Sequence, residues 1–124
     1  MPHLIGSPEQ YEAPGNTHKL CDEYVGLLNT GESGVSVTRM HSPAGWEGPP
    51  HYADFQQYAV VLTGVLEIEY ADGNMEVEPG QAIHIEAGEE VILSTPHGCE
   101  YLTVCVPAYS KAAIHRSSAG APGH

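Results

Sequence analysis

Gly45-Trp46-Glu47-Gly48-Pro49-Pro50-His51-Tyr52-Ala53-Asp54-Phe55-Gln56-Gln57-Tyr58-Ala59-Val60-Val61-Leu62-Thr63-Gly64 contains two stretches that read as strands, 49–53 and 56–63, with a glycine at either end. Outward from this segment the dominant period is two. Leu66, Ile68 and Tyr70 alternate with Glu67 and Glu69, and Met75 and Val77 with Glu76 and Glu78. Upstream, Val35 and Val37 alternate with Ser36 and Thr38. Each alternation predicts a half-buried strand. Ala71-Asp72-Gly73-Asn74 joins two of them as a hairpin, because Asp-Gly supplies the positive φ of a tight turn. Further strands are expected at 20–28, 81–86, 90–95 and 100–106, and one short helix at 108–116. Eight or nine short strands in about 90 residues predict an all-β sandwich or barrel. Residues 1–18 show no period and read as a loose or partner-packed arm. Residues 117–124 have the composition of a disordered end.

At 124 residues, 41% of them apolar, the chain is long enough for one domain. Sixteen acidic residues face four basic ones, for a net charge of -12. Lys19, Arg39, Lys111 and Arg116 are scattered, so neither a nucleic acid nor an anionic membrane is an expected partner. The same field disfavours a highly anionic substrate unless Arg39 is aimed at it. No apolar run approaches the length of a membrane span, and Met1-Pro2-His3-Leu4-Ile5-Gly6 lacks the basic start and apolar stretch of a leader. Cys21, Cys99 and Cys105 are odd in number and lack CxxC spacing, which predicts reduced thiols and a cytoplasmic location. There is no Gly-x-Ser-x-Gly elbow and no phosphate-binding glycine loop ahead of a helix.

The spacing of Gly45, His51 and Gly64 resembles the first signature of the cupin superfamily: Gly, five residues, His-x-His, three or four residues, Glu, six residues, Gly. Gly80-Gln81-Ala82-Ile83-His84-Ile85-Glu86-Ala87-Gly88-Glu89-Glu90-Val91 resembles the second, and Val61-Leu62-Thr63-Gly64 resembles the family's turn. The resemblance spans roughly residues 34–106. It implies an all-β double-stranded β-helix, a jelly-roll barrel of two antiparallel sheets, with the barrel at 19–108 and a C-terminal segment at 109–124. Edge strands and family habit imply a homodimer. Metal-binding cupins hold a divalent ion with three His and one Glu. Carried over by position, those ligands are His51, Ala53, Gln57 and Val91 here, so one strong donor is retained.

The other histidines and the tyrosines are the remaining candidates. If Val35 and Val37 fill the barrel, Arg39 and His41 follow on the same face towards its mouth. His84 joins His51 if Ala82 points inward, and faces away if Ile83 and Ile85 do. A trio of His51, Gln57 and His84 is then the metal hypothesis, with Zn, Fe, Mn or Ni as the ion. His51, His41 and Tyr58 are the catalytic candidates, and Arg39, Tyr52, Tyr70 and Tyr101 the substrate-binding ones. Imidazole titrates near neutrality, which suits proton shuttling on a cyclic or carbonyl-containing organic substrate. The expected activity is therefore of the isomerase or cyclase type, resembling polyketide cyclases. A non-catalytic binding module and a metal-dependent dioxygenase are the alternatives.

Overall fold

A computed structural model of the chain describes residues 1–116; the tail read as disordered lies outside them. Twelve strands form: β1 (Glu9–Ala13), β2 (Lys19–Val25), β3 (Ser36–Ser42), β4 (Trp46–Glu47), β5 (His51–Ala53), β6 (Gln56–Gly64), β7 (Leu66–Tyr70), β8 (Gly73–Val77), β9 (Ala82–Ile85), β10 (Ile92–Thr95), β11 (Cys99–Val106) and β12 (Ile114–Arg116). They make a six-stranded sheet in the order β1-β2-β3-β11-β6-β9, a four-stranded sheet β4-β10-β7-β8, and the pair β12-β5. Every paired strand is antiparallel. The chain is all-β, with the two-sheet jelly-roll architecture that the resemblance implies.

Alternation explains which residues enter the core. Leu66 and Ile68 are 0% and 1% exposed, and they meet Ala59, Val61, Ile85 and Tyr101 from the larger sheet in one apolar cluster. Glu67 and Glu69 point away, as the period of two requires. A second cluster of Ala53, Phe55 and Cys105, with Tyr109, Ala113 and Ile114 against it, closes the other end. Thr95 fixes the loop that delivers β4: its Oγ1 donates to the Pro43 carbonyl at 3.0 Å and accepts from Ser42 Oγ at 2.7 Å. That loop puts the Trp46 indole, 4% exposed, into the first cluster.

Two stretches differ from expectation. The first eighteen residues contribute β1, which pairs with β2 from Glu9↔Glu23 to Ala13↔Lys19. The expected helix at 108–116 is a single 3-10 turn, Lys111–Ala113, followed by β12. Arg116 pairs with His51 across β12 and β5, so a strand is favoured where a partner edge is available.

Candidate functional site

The barrel holds a cavity of about 490 Å³, open at one side, whose lining draws on both clusters. Its walls are built from the inward residues of four strands: Lys19 and Cys21 on β2, Thr38 and Met40 on β3, Gln57 on β6, and Tyr101, Thr103 and Cys105 on β11. Trp46 and His51 come from the short strands β4 and β5. Tyr11, Phe55 and Tyr109 form an aromatic floor, with Tyr11 and Tyr109 stacked at 5.4 Å and Phe55 edge-on to Tyr109 at 6.1 Å. Burial pushes the Cys21 thiol up to about 11 and the Cys105 thiol up to about 12, so both remain protonated.

His51 is held on both sides of its backbone. Its N–H donates to the Val91 carbonyl at 3.1 Å, and its carbonyl accepts from Val91 N–H at 2.9 Å. The ring Nδ1 lies 3.0 Å from the Pro49 carbonyl oxygen. A carbonyl only accepts, so Nδ1 carries the proton and Nε2 of the neutral ring is the basic nitrogen. Burial lowers the pKa of His51 below 6.5; the Pro49 hydrogen bond opposes this, and the positive charges of Lys19 and Arg116 add to it. The imidazole is therefore neutral and basic through neutral pH.

Lys19 is the residue that the strand reading missed. It is 3% exposed, with Nζ 3.8 Å from the centre of the Trp46 ring and donating to the Tyr101 hydroxyl. Burial pushes its pKa down to about 8, against the opposing pull of Cys21 and Cys99. Two polar atoms of cavity-lining residues, Trp46 Nε1 and Thr103 Oγ1, are buried with no hydrogen-bond partner among the described residues, the indole nitrogen lying against Gly15. Such groups are costly unless something satisfies them.

The remaining candidates lie elsewhere. Tyr58 pairs with His84, and Gln57 and Ala59 with Ile85 and Ile83. Opposed residues share a face, so the isoleucines point inward and His84 points out. His84 stacks on Tyr58 at 4.5 Å, with Nε2 at 2.7 Å from Gln56 Oε1, and both rings are on the exterior. The trio of His51, Gln57 and His84 therefore does not assemble, and Tyr58 is not at the cavity. On β3 the inward residues are Ser36, Thr38, Met40 and Ser42, so Arg39 and His41 face outward. Tyr52 stacks on His115 at 5.0 Å and does not line the cavity. Tyr70 packs against the first apolar cluster, away from the cavity lining.

His41 and Arg39 form an ion cluster on the outer face instead. His41 Nε2 lies 2.8 Å from Asp22 Oδ2 and Nδ1 lies 2.9 Å from Glu100 Oε1, while Arg39 pairs with Glu100 at 2.6 Å. Burial works against protonation of His41, but the hydrogen bonds to Glu100 and Asp22 outweigh it and raise its pKa above 6.5. Arg39 and His41 hold Glu100 below 4.5. The contribution of His41 is complete below 6.5 and is lost as pH rises through its folded value. That of Glu100 is complete above 4.5 and is lost as pH falls through its own. The expected result is that His41→Gln lowers Tm measurably near pH ~5.5 and has almost no effect by about pH 9. Thermal melts across that range check it.

Residues 38–104 match the family model described as a cupin domain. The chain belongs to the cupin family. Among solved cupin structures, the polyketide cyclase RemF from Streptomyces resistomycificus superposes with a TM-score of 0.73 at 19% identity, covering 94% of this chain and 84% of that one. Oxalate decarboxylase from Bacillus subtilis superposes at 0.74 with 14% identity, covering 92% of this chain and 31% of the other. These likenesses concern the fold. The protein named endoribonuclease YbeY from Myxococcus xanthus is 30% identical over 104 residues, 82% of this chain. This cupin spans only about a third of that relative, 35% of its length.

Another structure of the decarboxylase concerns its Mn(II) centres, so the donor set here bears on metal use. Ala53 and Val91 are buried apolar residues at 7% and 4% exposure, and Gln57 is a neutral amide. Among the described residues no three His, Cys, Asp or Glu side chains gather as a metal-holding group. The side chains present do not fit the four-ligand cupin centre.

Proposed function

We propose that this cupin performs acid–base chemistry of the cyclase or isomerase type on a flat or cyclic organic compound bearing a carbonyl group. The observation that carries this reading is His51: a neutral imidazole at the wall of the barrel's cavity, with Nδ1 anchored on Pro49 and Nε2 left as the base. In the proposed step Nε2 takes a proton from the carbon next to the carbonyl. The Gln57 amide and the Tyr101 hydroxyl supply donors for the oxygen as charge develops on it. The imidazolium returns the proton at a different carbon, or the enolate carbon closes a ring. The aromatic floor matches a flat substrate, and the polyketide cyclase among the structural relatives works on compounds of the class its name states. A dioxygenase reading needs an iron-holding group, and no such group assembles among the described residues.

The replacements at Ala53, Gln57 and Val91 favour one second reading, a binding module without turnover. Proton exchange separates the two. Cyclohexanone, indanone and tetralone are incubated with the protein in deuterated buffer, and loss of their α-proton signals is followed by NMR. Acid–base function predicts exchange above the buffer rate, with a plateau above 6.5 and a fall on the acid side as His51 protonates. Ketones that bind, as seen by shifted protein resonances, yet exchange at the buffer rate would overturn the proposal and leave the binding module.

A further inference from the structure

We infer that Lys19 is a second reactive group of the cavity, an amine that adds to the ligand's carbonyl carbon and forms a reversible imine. The inference rests on reading the cavity as a carbonyl site and goes beyond it in naming a covalent bond. Three structural observations carry it. First, Lys19 lies on the inward phase of β2 with Cys21 and lines the cavity although it is only 3% exposed. A lysine seldom occupies such a place unless it is paired. Second, no carboxylate lies within ion-pair distance of it among the described residues. Its neighbours are the Trp46 ring at 3.8 Å, the Tyr101 ring at 4.7 Å, and the Tyr101 hydroxyl to which it donates. Third, burial works against the ammonium more strongly than the two ring faces favour it, which leaves the free amine, the nucleophilic form, more accessible than in an exposed lysine. With a pKa of about 8, roughly a tenth of Lys19 is free amine at pH ~7, about 200-fold more than for an ordinary lysine.

The step balances without an oxidant or reductant. The Nζ lone pair forms the N–C bond while the C=O π pair moves to oxygen, which takes a proton from the Tyr101 hydroxyl. Nitrogen loses a proton to give a neutral carbinolamine. The oxygen takes a second proton and leaves as water, its C–O bond breaking as nitrogen donates its pair, and loss of the last N–H proton gives the imine. The sum is amine plus carbonyl to imine plus water. Tyr101 suits the donor role because burial and the neighbouring Cys21 and Cys99 raise its pKa well above 10, so the hydroxyl keeps its proton until it is needed.

Reductive trapping on the unaltered protein tests this. The chain is incubated near pH ~7 with benzaldehyde or cyclohexanone and sodium cyanoborohydride, which converts an imine to a stable secondary amine, and the adducts are located by peptide mapping. Lys111 is the sequence's only other lysine and sits exposed on the rim of the same cavity, so it is the internal control. The expected result is adduct on the Lys19 peptide at about 100-fold over Lys111. Equal labelling of the two lysines, or none at Lys19, would overturn the inference. Lys19→Arg, which keeps the charge but cannot form the imine, must lose the adduct while its circular dichroism stays native-like. Failure here and failure of the acid–base reading are distinguishable. Ketone α-exchange with no Lys19 adduct refutes the imine alone, and an adduct without exchange refutes the base alone.

Discussion

Replacing His51 with alanine is expected to slow ketone α-proton exchange by about 100- to 10,000-fold, the usual worth of a positioned general base. The substitution removes the nitrogen whose basicity depends on the Pro49 anchor. It also leaves the Pro49 carbonyl without its donor, at a stability cost of about 1–3 kcal/mol. His51→Asn controls for that cost, since its side-chain amide can donate to the same carbonyl and yet cannot accept a proton at neutral pH. Both variants should lose exchange, and Asn should recover much of the lost Tm. An alanine variant that exchanges at the wild-type rate would move the base elsewhere in the cavity.

Gly64→Ala is expected to cost at least about 3 kcal/mol, read as a lower urea midpoint. Gly64 ends β6 and leads into β7, so it is where the chain passes from the larger sheet to the smaller one. Its φ is +76°, which disfavours a side chain, and a Cβ there would sit 2.9 Å from Cys99 Cα and 3.0 Å from the Gly98 carbonyl carbon, with the Gly98 oxygen closer still. All three are backbone atoms and cannot rotate aside. Gly80 supplies the comparison: its φ is +84°, but a Cβ there meets nothing within 4 Å. Gly80→Ala should therefore show only the left-handed penalty, about 1–2 kcal/mol. Equal midpoints for the two variants would mean that crowding at the turn contributes nothing.

The strands and the hairpin were legible because acidic residues punctuate β7 and β8, so the alternation there has one apolar side. The faces of β3, β6 and β9 were not. On β6 the outward residues Tyr58, Val60 and Leu62, at 42%, 37% and 37% exposure, are as apolar as the inward Ala59 and Val61. A period of two shows which residues share a face but not which face is inside when both are apolar. That ambiguity placed Arg39, His41, Tyr58 and His84 near a cavity they do not reach. His51 was found by a different sign, the spacing from Gly45 to Gly64 that resembles the family signature. Lys19 was missed for a different reason: a strand beginning at Leu20 leaves it in the connection, and inward lysines run against the general rule for charged residues. The sign available in the sequence was its phase, two residues before Cys21.

Trp46 is the sequence's one tryptophan, and it stands at the cavity wall under the Lys19 ammonium with its own N–H unsatisfied. Whatever enters the barrel must change the surroundings of that single chromophore. Its ultraviolet emission therefore serves as a label-free gauge of occupancy, with intensity and wavelength both responding as a guest displaces solvent or draws the lysine's charge away from the indole.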